Sequence, residues 1–268
     1  MVDWYIGTMG FGYKDWSGVF YPAELKASGY LRYYSRIFDC VEVDSTFYGT
    51  PRPQTVQRWA LATPPSFRFC LKTPRLITHE AGLVGVDAAM GEFLEVAREL
   101  GERLGVVLIQ LPPSFDASRL PVLVDFVQRL PGDLRFAVEV RHQSWYTAGV
   151  ADEALPLAQA LARQGVCWAA TEFPGLPGGF RRTSDFLYVR WVGQHGAFQQ
   201  HSQERIDRDA NLQAWWQQFQ DQLPYVQAVF GQFNNDYAGF AAGSADRFKR
   251  IAGLPREPFP PAQQVRLF

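Results

Sequence analysis

Apolar and polar side chains alternate along residues 136–145, FAVEVRHQSW. Phe136, Val138 and Val140 fall on one side, and Ala137, Glu139 and Arg141 on the other. A strand has a side-chain period of two, so the two sets face opposite ways. The apolar set predicts a packed outer layer. The other set predicts an inward face that passes from a small residue to an acid to a base and ends beside His142.

The same pattern predicts strands over residues 4–8, 40–44, 67–72, 106–111, 166–171, 186–191 and 228–233. Between them, apolar residues recur at helical spacing. Helices are predicted over 22–38, 54–62, 87–104, 120–130, 152–164, 206–223 and 241–252. Asp87 and Asp152 stand where N-caps belong, and Gly165 where a helix stops. Pro64-Pro65, Pro112-Pro113 and Pro131-Gly132 break the elements before them. The run PGLPGG at 174–179 is too broken for a helix, so the sixth βα unit is degenerate. The long loop 73–85 carries His79 and Glu80, and loops of that length in a compact domain are often functional. Gly7, Gly10 and Gly12 lack phosphate-loop spacing and are read as a permissive turn. The tail, 253–268, is Pro-rich and is expected to wrap the surface.

Strands alternating with helices predict a parallel sheet with right-handed crossovers. Eight such units in 268 residues match one α/β domain, 1–268, folded as a (β/α)8 TIM barrel. A doubly wound open sheet is the alternative. Polar residues at the ends of so many strands favour closure, because a barrel points them all at one mouth.

Composition narrows the function classes. A net charge of −1 lacks the footprint of a dedicated nucleic-acid binder, while a local basic patch stays open. The cysteines, Cys40, Cys70 and Cys167, are far apart and form no C-x-x-C pair. That argues against a structural zinc or iron–sulfur site and for a reducing cytoplasm. The N-terminus has no signal-peptide pattern, and no apolar run is long enough to span a bilayer, so no membrane role is expected.

The candidate chemistry lies at the strand ends. Glu42, Asp44 and Glu139 face Lys72, Arg141 and Arg190, with Gln110, Asn234 and Asn235 beside them. Burying that many charges without function would be costly. Glu42, Lys72, His79, Glu139 and His142 are the catalytic candidates, as bases, proton-transfer groups or an amine nucleophile. Asp44, Tyr48, Gln110, Arg141, Trp145, Arg190, Asn234 and Asn235 are the substrate-binding candidates. Arginines would clamp a carboxylate or phosphate. Trp16, Phe47, Tyr48, Trp145 and Trp191 either line the mouth or pack the core. Glu42, Asp44, Glu139 and His142 are competent metal ligands, yet nothing has metal-site spacing, so no metal and no cofactor is assigned. The expected partner is a small anionic substrate or a nucleic acid. Hydrolysis is the expected reaction, and a non-catalytic binder is the alternative.

The motifs GTMGFGYKDW, VEVDSTFY, KTPRLITH, QLPPSF, VEVRHQSW and FNNDYAGFA, in this order, resemble the YecE-like family, domain of unknown function seventy-two. The resemblance spans nearly the whole chain and implies a TIM barrel. The family's activity is not established. The likeness of such barrels to metal-dependent endonucleases of the endonuclease-four type implies a nucleic-acid role by analogy of fold. Asp44 stands where the family pattern has Asn, and Asp236 where it has His. Any mechanism needing a histidine at the second position is put in question.

Overall fold

The computed structural model describes residues 2–146 and 155–259. Nine strands are found among the described residues: β1 (Asp3–Met9), β2 (Cys40–Val43), β3 (Arg68–Lys72), β4 (Leu104–Gln110), β5 (Phe136–Glu139), β6 (Cys167–Trp168), β7 (Ala170–Glu172), β8 (Phe186–Trp191) and β9 (Ala228–Phe233). Every pairing is parallel. The order is β6-β5-β4-β3-β2-β1-β9-β8-β7.

The predicted sixth strand is therefore two. β6 pairs with β5, and β7 pairs with β8. Only Ala169 separates them, so one interrupted strand brings the ring of eight units together. The interruption has a specific cause in a side chain further along the chain. The Trp168 amide donates to Thr183 Oγ1 at 2.7 Å, and that hydroxyl donates to the Val166 carbonyl at 2.7 Å. A side chain thus takes over from the strand ladder at this point.

The helices are α1 (Tyr30–Tyr34), α2 (Pro53–Ala62), α3 (Asp87–Arg98), α4 (Leu120–Gln128), α5 (Pro156–Arg163), α6 (Asp209–Gln222), α7 (Asn235–Ala238) and α8 (Ala241–Ile251). The helix expected over 22–38 is reduced to a 3-10 turn, Ala27–Gly29, and α1, where Tyr21 stacks flat on Tyr30 at 3.9 Å and folds the segment back. Asp87 is the first residue of α3 rather than its cap, and it pairs with Arg129 at 2.8 Å. α3 ends at Arg98, and β4 begins at Leu104, ahead of the expected start. α7 was not anticipated. No helix lies between β7 and β8, in keeping with the degenerate sixth unit. Asp152, the expected cap of the fifth helix, lies outside the described residues. So does 260–268 of the tail. Its described part lies on the surface, with Phe259 against Phe20 at 5.3 Å and Arg256 bonded to Asp246 at 2.7 Å.

Two separate apolar clusters follow from the alternation. Val41, Val43, Phe69, Leu71, Val107, Ile109, Val138 and Val140 belong to the layer between strands and helices. Cys70, Val106, Leu108, Ala137, Cys167, Phe186, Tyr188 and Phe230 fill the barrel interior. Each large side chain so buried stabilises the fold by roughly 1.5–3 kcal/mol. The interior is thus a packed core below and a charged layer above. Among the described residues, no helix is long and apolar enough to cross a membrane.

The loop after β8 is seated on α7 through Gly193. Its φ is 73°, and a Cβ there would meet the Asp236 carbonyl oxygen at 2.2 Å. Gly193→Ala is expected to cost at least ~2 kcal/mol, from backbone strain and that clash together. Urea unfolding checks this; an unchanged midpoint would show that the loop does not rest on α7.

Candidate functional site

Inward positions at the upper ends of β2, β5 and β8 supply Glu42, Glu139 and Arg190, all buried. One guanidinium serves both acids. Arg190 donates to Glu42 through Nη2 at 2.6 Å and Nε at 3.0 Å, and through Nη1 to Glu139. Tyr188 adds a bond to Glu42 at 2.7 Å, and Arg141 Nε one to Glu139 at 2.7 Å. Tyr188 lies two residues before Arg190, so the strand period places both in the barrel.

The two carboxylates are set apart by their neighbours. Burial resists ionisation of Glu139, but Arg141 and Arg190 outweigh it and bring its pKa from 4.5 down to about 2. Burial dominates at Glu42, aided by Asp44, and lifts its pKa despite Arg190. Burial also opposes the charge on Arg190, yet Glu139 and Glu42 hold it firmly protonated.

A second, looser group stands above this network. Lys72, at the end of β3, places Nζ 3.9 Å from Asp44 Oδ1 and 4.1 Å over the Phe47 ring. Arg190 Nη2 is also 3.9 Å from Asp44 Oδ1. These separations are ion-pair contacts rather than hydrogen bonds, and Asp44 Oδ1 is buried without a hydrogen-bond partner. Burial and Arg190 lower the pKa of Lys72 against the pull of Asp44 and Glu42.

His79 sits in a single π-helical turn, Leu76–Glu80, followed by Leu83 at φ 70°. Such turns and strained residues cluster at functional sites. The His79 ring lies edge-on to Phe47 at 4.9 Å, and its Nδ1 is 2.8 Å from Thr78 Oγ1. Burial, then Lys72, Arg141 and Arg75, depress its pKa from 6.5 to about 4, so the ring is neutral at pH 7. Tyr48 projects from the rim, 85% exposed.

The other expected residues are engaged locally. Gln110 Nε2 donates to the Leu111 carbonyl at 2.7 Å. His142 Nδ1 accepts from the Ser144 amide at 3.1 Å and caps the turn at Gln143–Trp145. Trp145 is buried, donates to the Phe115 carbonyl at 2.8 Å and stacks on Phe115, so it packs the core instead of lining the mouth. Asn234 caps α7 through the Asp236 amide at 2.8 Å. Asn235 is buried and accepts from Trp16 at 3.3 Å and from the Ala241 amide at 3.0 Å. It ties the first turn of the chain to α8. Trp16 and Trp191 are likewise core residues.

Three groups escaped the sequence reading. Met9 Sδ lies 3.4 Å from Arg190 Nη2. Tyr13, bonded to the Met9 carbonyl, has its pKa raised by burial and by Asp44, Glu42 and Asp236. His201 lies 3.6 Å from Asp236 and 3.9 Å from Asp15. The charge on Asp15 and Asp236 was the available signal; nothing in sequence spacing joins them to a histidine in the loop after β8. No cluster of three or more metal-ligating acid, histidine or cysteine groups occurs among the described residues.

The fold and the site together define an α/β barrel of TIM type whose mouth is lined with ionised side chains. The chain belongs to the family described as Protein of unknown function DUF72, whose profile matches residues 5–266. It is 30% identical to a DUF72 family protein from Thermotoga maritima, whose crystal structure superposes with a TM-score of 0.77 and covers 94% of this chain and 99% of that one. A DUF72 family protein from Enterococcus faecalis shares the fold at 21% identity and a TM-score of 0.75, covering 95% and 99%. UPF0759 protein YecE of Escherichia coli K12 is 40% identical over 136 residues, 51% of this chain. That match spans about half, 49%, of the relative's own length. UPF0759 protein YunF of Bacillus subtilis is 24% identical over 282 residues, covering 97% and 98%.

The geometry makes Arg190 the counter-ion that both buried acids require. Arg190→Met is expected to cost about 3–5 kcal/mol at pH 7, since Glu42 loses its cation and Glu139 one of its two. Glu139 has a depressed pKa, so its contribution is present above pH 4.5 and is lost as pH falls towards about 2. The gap between wild type and Glu139→Gln in urea unfolding should therefore shrink over that window. A gap independent of pH would show that Glu139 is not held ionised.

Proposed function

We propose that the mouth binds an anionic, phosphate-bearing substrate, a small molecule or a nucleic-acid end, and hydrolyses it. The observation that carries this reading is that Lys72 and the half-buried His79 pack against the same Phe47 ring, at 4.1 Å and 4.9 Å, with Lys72 and Arg141 both disfavouring a charge on His79. Among the described residues Arg141 bonds to Glu139 through Nε and lies over the Phe173 ring at 4.7 Å, with its two Nη groups offered to an anion. Lys72 holds its own acid at ion-pair distance. A phosphate between them would relieve mutual repulsion and restore basicity to His79.

In this reading His79 takes a proton from water as the water oxygen attacks phosphorus and the P–O bond to the leaving alcohol breaks, the proton then passes to that alcohol oxygen, and Arg141 and Lys72 neutralise the developing charge. Glu42 and Glu139 serve as the buried counter-ions that fix Arg190 and Arg141. Tyr48 offers an exposed ring at the rim for a base or sugar. The second reading, a non-catalytic binder, is favoured by the closed pairing of Glu139, which spends its carboxylate on two arginines. The free, buried cysteines support a cytoplasmic setting.

Three measurements test this. Inorganic phosphate should move the His79 pKa upward from about 4 in a proton-NMR titration; an unmoved value would remove the anion site. His79→Ala should slow hydrolysis of a p-nitrophenyl phosphate ester by ~100-fold with unchanged stability. Binding without turnover in the wild type would favour the non-catalytic reading. If the ligand is a nucleic-acid end, affinity should fall steeply with salt, and a flat dependence would limit the ligand to small molecules.

A further inference from the structure

We propose that Lys72 is an amine nucleophile that forms an imine with the carbonyl carbon of an anionic aldehyde or ketone. This goes beyond hydrolysis, and it rests on the mouth being the ligand site with Arg141 as its anion contact.

The side chain of Lys72 is set apart from the other lysines of the chain. Lys249 is buried and bonded to Asp39 at 2.9 Å, whereas Lys14 and Lys26 are exposed. The Lys72 side chain is only 13% exposed, yet among the described residues Nζ donates no hydrogen bond. One side of it is covered by the Phe47 face at 4.1 Å, and Arg190 repels its proton from below. Desolvation and a neighbouring cation are the two devices that free an amine lone pair. The same environment leaves Asp44 Oδ1 buried, without a hydrogen-bond partner and 3.9 Å from Nζ, a separation across which one bridging water would relay protons to the amine.

The steps balance with these groups. The neutral Nζ attacks the carbonyl carbon, and the C–O π electrons move to oxygen. Asp44 accepts the proton released from nitrogen as the C–N bond forms. It returns that proton to the alkoxide oxygen, giving the carbinolamine, and then relays the second amine proton to the hydroxyl, which leaves as water while the nitrogen electron pair closes the neutral C=N bond. The Arg141 Nη groups hold the substrate's anion during this sequence. No oxidant or reductant is needed.

The test uses pyridoxal 5′-phosphate as an aldehyde carrying a phosphate, trapped with sodium borohydride, whose hydride converts the imine into a stable amine. With equimolar reagent, peptide mass mapping should find Lys72 labelled roughly tenfold faster than Lys14 and Lys26. Lys72→Arg, which keeps the positive charge, should abolish that fast phase. Labelling of Lys72 no faster than the exposed lysines, or an unchanged fast phase in Lys72→Arg, would overturn the proposal. The phosphate titration of His79 separates the two levels. A shifted His79 with an unlabelled Lys72 rejects the imine alone, while the absence of both rejects the mouth as a ligand site as well.

Discussion

The upper half of this barrel depends on two buried carboxylates sharing one guanidinium. Glu42 depends on Arg190 for its charge, Glu139 on Arg141 and Arg190 together, and Arg190 is held in the interior by both acids. Their positions follow from strand parity alone, because each is an inward residue close to the C-terminal end of its strand. Three strands that are distant in sequence are thereby tied at one level. Arg141, bonded to Glu139, is the second cation that brings the two acids into balance. Lys72, Asp44 and His79 stand above acids that already have hydrogen-bonded cations, so their looser geometry is not forced by a need to neutralise the acids beneath.

This division separates support from chemistry. Glu139 is strongly paired and strongly acidic, which suits a counter-ion and not a base. Lys72 and His79 have the opposite character. Both carry pKa values lowered by burial and nearby cations, and both lie against one ring, Phe47. Perturbed, incompletely paired groups of that kind mark functional sites more often than saturated ion pairs do.

Much of the fold was legible because period-two and helical apolar patterns are local signals. The alternation at Phe136–Val140 correctly assigned Val138 to the outer layer and Ala137 to the interior. Patterning failed where tertiary contacts decide. The break at Ala169 is made by Thr183, fourteen residues further on, and the loss of the helix after Pro22 is made by a tyrosine stack. In the mouth, inward charges could be listed from parity, but their pairing could not. Trp145 shows the limit well. Its spacing from the strand suits a mouth residue, and only the Phe115 carbonyl and ring reveal a core residue. His201 meets Asp236 from a loop, against the one-turn α7, and neither carries a periodic signal.

The interruption at Ala169 bears on how the barrel keeps its shape. β6 and β7 are the shortest strands, and they face β5 on one side and β8 on the other. The barrel wall is therefore thinnest in hydrogen bonds between the strands that carry Glu139 and Arg190. The ion pair between those two side chains spans this seam from within. It acts as a clasp, supplying through side chains the cross-wall attraction that the broken ladder lacks. Local opening of the barrel at this seam would thus be coupled to the charge state of the mouth, so that occupancy above and integrity of the wall below become one property.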